Sequence, residues 1–282
     1  MRTRKPLSPP LKINEVTAKS ILNPSRISGV TYAINPYVGC QHACSYCYAR
    51  FMSRYTGHQG EAWGSFVDIK INAPRVLQQQ LRRRRKTPKE PVLFSSVTDA
   101  YQPLERRYEV TRNCLAVLTR HEFPISILTK SDLVLRDVDL LKQNSENEVG
   151  MTIISLDEKT RRVFESGAVP SHRRLDALRE ISSQGIRTYG FVGPIIPELS
   201  TAHLEELIHS LADCGVSYAL FDRLNVKYGN RPVIEKVLRT HFEDQAKTIL
   251  DALRPRNQYY EKIREKIVEY ALQYGLEADI IF

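Results

Sequence analysis

Three thiols stand close together in Asn35-Pro36-Tyr37-Val38-Gly39-Cys40-Gln41-His42-Ala43-Cys44-Ser45-Tyr46-Cys47-Tyr48, and three readings of that spacing compete. At i, i+4 and i+7 the cysteines would share one face of a helix as small core residues, but Gly39 and the polar Gln41, His42 and Ser45 argue for a loop. A zinc site would need His42 or a distant residue as fourth ligand, and structural zinc usually joins two Cys-x-x-Cys knuckles. No second knuckle occurs. An iron–sulfur cluster takes thiolates from a tight loop of this kind. With three ligands one iron stays open to a cofactor or substrate, whereas a pure electron carrier closes every position with cysteine. Cys114 and Cys214 fall within apolar helical spacing and read as buried core thiols.

A loop of this kind needs a scaffold, and the pattern around it is regular. Apolar or β-branched runs at 32–38, 92–97, 125–129, 151–156, 188–192 and 218–221 read as buried strands. Between them, apolar residues recur at helical spacing: Leu77 and Leu81; Leu115, Val117 and Leu118; Leu133 to Leu141; Leu175, Leu178 and Ile181; and Leu204, Leu207, Ile208 and Leu211. The last of these helices ends at Cys214-Gly215, a usual C-terminal stop. Such alternation predicts parallel βα units with both faces of the sheet covered. The expected fold class is α/β: a partial (β/α)6 TIM-like barrel over 31–225, after an N-terminal extended arm at 1–30 and before a C-terminal helical extension at 226–282 with helices at 241–253 and 259–274. Chemistry in such barrels lies at the C-terminal strand ends. That directs attention to 40–47, 96–101, 130–131, 155–158, 193–198 and 222–225.

The composition of the 282 residues, 42% apolar and 26% charged, excludes disorder, collagen and disulfide scaffolds. No run approaches the roughly 18 apolar residues of a spanning helix, and the basic start leads into Ser8-Pro9-Pro10 rather than a signal sequence. A cytoplasmic location with free thiolates is expected, without a membrane partner. The net charge of +9 raises the question of an acidic partner such as nucleic acid. Arg82, Arg83, Arg84, Arg85 and Lys86 at a helix end read either as a phosphate-binding patch or as cations complementing the helix dipole.

Cys-x-x-x-Cys-x-Tyr-Cys after the first strand of a six-fold βα chain resembles the radical S-adenosylmethionine (radical SAM) superfamily. Within it, the run from Asn35 to Arg50 and the stretch Ser95-Ser96-Val97-Thr98-Asp99-Ala100-Tyr101-Gln102-Pro103-Leu104-Glu105 resemble the branch related to spore photoproduct lyase. The resemblance spans roughly 30–225. It implies that Cys40, Cys44 and Cys47 hold a 4Fe-4S cluster whose open iron chelates S-adenosylmethionine (SAM), with Tyr46 against the adenine. It implies cleavage of SAM to methionine and a 5′-deoxyadenosyl radical, which abstracts hydrogen from a substrate, after reduction by a flavodoxin or ferredoxin. Ser96, Thr98 or Asp99 would meet the SAM amino end, Lys130 its carboxylate, Ser155 the ribose or carboxylate, and Arg173 the carboxylate as a second cation. Simpler roles compete: a turn or helix cap for Asp99, a solvated surface for Lys130 and Arg173. The stretch Gly190-Phe191-Val192-Gly193-Pro194-Ile195-Ile196-Pro197 resembles the segment beside the adenine, though a tight turn accounts for its glycines equally well.

One departure matters. Spore photoproduct lyases carry a hydrogen-donating cysteine after the second strand, and here Ser95 and Ser96 stand nearest. Tyr46 and Tyr48 repeat the flanking tyrosines, a candidate radical relay. Three functions stay open: a lyase-like enzyme of DNA modification or repair, a radical SAM enzyme on a small molecule, peptide or RNA, and a non-catalytic zinc or iron–sulfur module.

Overall fold

Pro36 divides the expected first strand in two. It has no N–H to offer a ladder, its carbonyl accepts from Lys70 N at 3.1 Å, and beyond it the chain leaves one sheet for another. The computed structural model describes residues 11–27, 30–83, 89–226 and 229–282. In chain order its strands are β1 (Lys12–Val16), β2 (Leu22–Pro24), β3 (Tyr32–Ile34), β4 (Tyr37–Val38), β5 (Phe66–Lys70), β6 (Val92–Phe94), β7 (Ile125–Thr129), β8 (Glu148–Thr152), β9 (Arg187–Ile195), β10 (Tyr218–Arg223) and β11 (Ala278–Ile280). The helices are α1 (Ala73–Arg83), α2 (Glu105–Tyr108), α3 (Val110–Arg120), α4 (Val138–Leu141), α5 (Glu158–Phe164), α6 (Ser171–Ser183), α7 (Leu204–Asp213), α8 (Arg231–His241), α9 (Glu243–Ala252) and α10 (Tyr259–Gln273).

The main sheet runs β11-β10-β9-β8-β7-β6-β3-β2. Every pairing from β3 to β11 is parallel, and only β2 runs antiparallel. Strands β3 and β6 to β10 are the six expected of the partial barrel, and no pairing joins β3 to β10 to close it. These strands are apolar on both faces because helices cover one side and the barrel interior fills the other. Val92, Phe94, Ile125, Ile127, Val149, Met151, Val192 and Phe221 form one core with the inner stripes of α1, α3, α6, α7 and α10. A second core gathers Ile154, Phe164, Ile196, Leu199 and Leu224 under α8 and α9. Each fully buried aliphatic or aromatic side chain in them contributes about 1.5–3 kcal/mol.

Both flanking segments enter the sheets. In the expected arm, β1 pairs in parallel with β5 and β2 forms a hairpin with β3. Among the described residues after 226 there are three helices instead of two, because α8 begins at Arg231 with a proline in its first turn. The chain then adds β11 to β10. The expected helix over Leu133 to Leu141 is a 3-10 turn at Asp132–Asp137 followed by the short α4.

Candidate active site at the strand ends

The cysteine loop is shaped by its backbone. Gly39 has φ +81, and a Cβ there would lie 2.3 Å from the Phe66 carbonyl oxygen. Ala43 also takes the left-handed region at φ 52. Successive turns close Ala43 N on Cys40 O at 3.2 Å and Cys47 N on Cys44 O at 3.1 Å. The loop is clamped from outside: Ser45 N donates to Phe164 O at 2.9 Å and Gly167 N to His42 O at 3.1 Å. Gly167 is required at that contact, because a Cβ would sit 2.1 Å from Gln41 O. From the β6 end, Thr98 Oγ1 donates to Gly39 O at 2.6 Å and Gln102 Oε1 accepts from Gln41 N at 3.0 Å.

This architecture brings the three thiols to one loop with no disulfide between them. Cys40 and Cys44 are buried and Cys47 is partly exposed. Burial pushes the Cys44 thiol up to about 12 against the pull of the Lys130 charge, and Cys40 and Cys47 are raised by burial too. The thiols therefore stay protonated in the bare protein, and iron would deprotonate them on ligation. Among the described residues no three His, Cys, Asp or Glu side chains converge as ligands of one ion would. A cluster instead meets its ligands on separate irons.

Behind the loop, two buried side-chain pairs fix its walls. His42 Nδ1 lies 3.2 Å from Asp99 Oδ2, with both side chains nearly inaccessible. Asp99 also accepts from Thr129 Oγ1 at 2.7 Å, Tyr101 N at 2.9 Å and Lys130 N at 3.0 Å. Burial would raise its carboxyl, but His42, Lys130 and the Thr129 hydroxyl outweigh burial and hold it well below the usual range. Tyr46 donates its phenol to Glu165 Oε1. Glu165 Oε2 in turn meets Arg174 at 2.6 Å, both fully buried.

A cavity opens above the loop, lined by Tyr46, Cys47 and Tyr48, by Ser95 to Asp99, and by Lys130, Thr152, Phe191 and Asp222 among others. Lys130 Nζ lies 6.0 Å from the Tyr46 ring centroid, within cation–π range. Burial works against its charge, but the carboxylates of Glu165 and Asp99 are among the neighbours that push it up to about 12, so a fixed cation faces the cavity. Two buried hydroxyls in the lining, Ser95 Oγ and Thr152 Oγ1, have no hydrogen-bond partner among the described residues. Ser95 holds φ 74, a strained conformation for a serine. A cation, two unsatisfied hydroxyls and an apolar wall suit a ligand carrying a carboxylate, hydroxyls and a flat ring, so the residues fit SAM beside a cluster.

Of the residues expected at the site, Cys47, Tyr46, Tyr48, Ser96, Thr98, Asp99 and Lys130 line this cavity. Tyr48 donates its hydroxyl to Ser96 O, and Ser96 Oγ accepts from Asn35 at 3.0 Å. Ser155 and Arg173 are not brought there. Strand β8 ends at Thr152, so Thr152 faces the cavity and Ser155 is buried behind it, its hydroxyl donating to Leu199 O at 3.2 Å. Arg173 is half exposed and pairs with Asp132, while the next residue round the helix, Arg174, turns inward. Thr152 is hidden by the expected strand end at 156, and Asp222, raised by burial, lies within the last residues of β10, in the 222–225 stretch where barrel chemistry is expected. Arg82 and Arg83 lie exposed in the last turn of α1, away from the cavity. Arg84, Arg85 and Lys86 lie outside the described residues. Cys114 and Cys214 are buried in the core.

The family model for the radical SAM superfamily matches residues 34–211. An uncharacterized protein of Methanocaldococcus jannaschii is 42% identical over 189 residues, 67% of this chain and 70% of that protein. A radical SAM Nalpha-GlyT isomerase of Pseudomonas phage M6 is 24% identical over 219 residues, 77% of this chain but 44% of its own length. The structure of a cysteine-to-serine mutant of spore photoproduct lyase superposes with a TM-score of 0.73 at 17% identity, covering 95% of this chain and 81% of that one. This last likeness is one of fold. Among the described residues no helix is long and apolar enough to cross a membrane.

Proposed function

Because the chain belongs to the radical SAM superfamily, we propose that it uses Cys40, Cys44 and Cys47 to hold a 4Fe-4S cluster and SAM in the cavity above them. When reduced, that pair supplies a 5′-deoxyadenosyl radical that takes hydrogen from a substrate. The chain's own residues do the rest. Lys130 holds the SAM carboxylate, Ser96, Thr98 and Asp99 form the wall near its amino end, and Thr152 offers a hydroxyl to the ribose. Tyr46, pinned by Glu165, presents its ring to the adenine. The cavity wall excludes water from a species that would react with it. The observation that carries this reading is the pairing of an open-sided thiol loop with a fixed cation and orphaned hydroxyls in one cavity.

The substrate step departs from thiol-assisted repair. Cys47 is the only thiol in the described lining, and Ser95 and Ser96 stand where a donor thiol is expected. A hydroxyl O–H bond is too strong to give up hydrogen to a carbon radical, so the reading favours a reaction that needs no protein thiol, such as a rearrangement. A nucleic-acid substrate is supported by exposed Arg223 at the cavity rim and by the net charge of +9. Anaerobic reconstitution followed by iron and sulfide counts and electron paramagnetic resonance tests the reading. Four irons and four sulfides per chain, with a signal that changes on adding SAM, are expected. A zinc-loaded colourless protein, or a cluster signal indifferent to SAM, would overturn it.

A further inference from the structure

The cysteine loop has two faces. One floors the cavity through Tyr46, Cys47, Tyr48 and Ala49. The other floors a separate groove lined by Ala43, Ser45, Arg50, Arg54, Glu61 and Trp63, and among the described residues the two linings share none. The groove is cationic. Arg50 lays its guanidinium on the loop itself, donating to Cys47 O at 3.1 Å and Ser45 O at 3.0 Å. Arg54 is exposed. The groove's carboxylate, Glu61, is already neutralised by Lys12 and His58, each 3.1 Å from Oε1. Ser45 is only 8% exposed, yet its buried hydroxyl has no hydrogen-bond partner among the described residues.

We propose that this groove is the docking surface for a small acidic one-electron carrier protein and the point where the electron enters the loop. This rests on the radical SAM reading above. The carrier loses one electron and the cluster gains one, and no proton or group moves. The cavity face must stay closed around its ligands, so a protein donor has to approach from the other side. Ser45 is bonded directly to Cys44, and neighbouring Cα atoms stand about 3.8 Å apart. A carrier seated in the groove thus lies one residue from a cluster ligand. Arg and Trp together make a contact suited to an acidic partner, since both are enriched where interfaces desolvate.

The chain has a single tryptophan, Trp63, so its fluorescence reports on this groove alone. Reconstituted holoenzyme is titrated with an acidic flavodoxin, and cluster bleaching by the reduced flavodoxin is followed by stopped flow. Quenching of Trp63 is expected, as is a reduction rate that falls with salt. In Arg54→Glu the rate at low salt should drop about tenfold, while dithionite reduces both proteins alike with the same yield of 5′-deoxyadenosine. Equal flavodoxin rates in wild type and Arg54→Glu, or quenching by a DNA duplex but not by flavodoxin, would overturn the proposal. If dithionite yields no 5′-deoxyadenosine from wild type, the radical SAM reading fails instead, and the fluorescence titration still decides whether the carrier docks.

Discussion

Glu165 and Arg174 meet at 2.6 Å with neither side chain exposed to solvent. Arg174 also donates to the carbonyls of Thr152 at 2.8 Å and Val169 at 2.7 Å, and Glu165 receives the Tyr46 phenol. One buried pair therefore ties the cysteine loop to the end of β8 and to α6. Removing one member strands the other in the interior. We expect Arg174→Met to lose about 3–5 kcal/mol of stability in urea unfolding of the apoprotein, and to lower iron content after reconstitution. A loss below about 1 kcal/mol, the range of an exposed pair, would contradict this role.

Two glycines with the same backbone twist separate strain from collision. Gly39 at φ +81 has the Phe66 carbonyl oxygen 2.3 Å from where a Cβ would stand, while Gly60 at φ +83 has none of the described residues within 4 Å. Both alanine variants should lose about 1–2 kcal/mol to the left-handed conformation. Only Gly39→Ala should also displace the loop and bind less iron. Equal iron content in the two variants would show that the loop does not need this turn.

His58 gives the fold a pH dependence. It stacks on Phe66 at 3.9 Å and bridges Asp68 at 2.9 Å and Glu61 at 3.1 Å, locking β5 to the loop before it. Burial alone would lower it, but its hydrogen bonds to the Asp68 and Glu61 carboxylates outweigh burial and raise it above its ordinary 6.5. A raised folded value means the stabilisation is complete below 6.5 and fades as pH climbs through the folded value. Urea midpoints of the apoprotein should fall from pH 6.5 upward, and the difference from His58→Gln should shrink over the same window. Parallel curves for the two proteins would refute the assignment.

Lys130 and Arg173 are both cations near strand and helix ends, yet only Lys130 faces the cavity. Lys130→Met should weaken SAM binding at least about tenfold, the loss of one charge-assisted contact. Arg173→Ala removes a half-exposed pair with Asp132 and should leave SAM affinity unchanged. Isothermal titration of the reconstituted enzyme measures both. A larger effect from Arg173 would move the carboxylate site.

The contrast shows what sequence carries and what it hides. The Cys40, Cys44 and Cys47 spacing and the six buried strands were legible because chemistry and burial both impose residue types in order. Strand β5 was not, because Asp68 and Lys70 interrupt its apolar run, and only the fold supplies their partners His58, Asn14 and the Asn35 carbonyl. Strand β1 alternates weakly and finds β5 far along the chain. At α6 a one-residue difference moves a guanidinium about 100° round the helix, so sequence located the basic pair, while packing decided that Arg174 turns inward. Thr152 is hidden for a similar reason: only Ile153 and Ile154 separate it from Ser155, and β8 ends at Thr152 itself.

The central claim is that the thiols of one loop are the seat of SAM cleavage. The most direct measurement is 5′-deoxyadenosine formed by reconstituted protein with SAM and dithionite under argon, for wild type and for Cys44→Ala. Product from the wild type and none from Cys44→Ala is the expected result. Product that persists in Cys44→Ala at the wild-type rate would contradict the account.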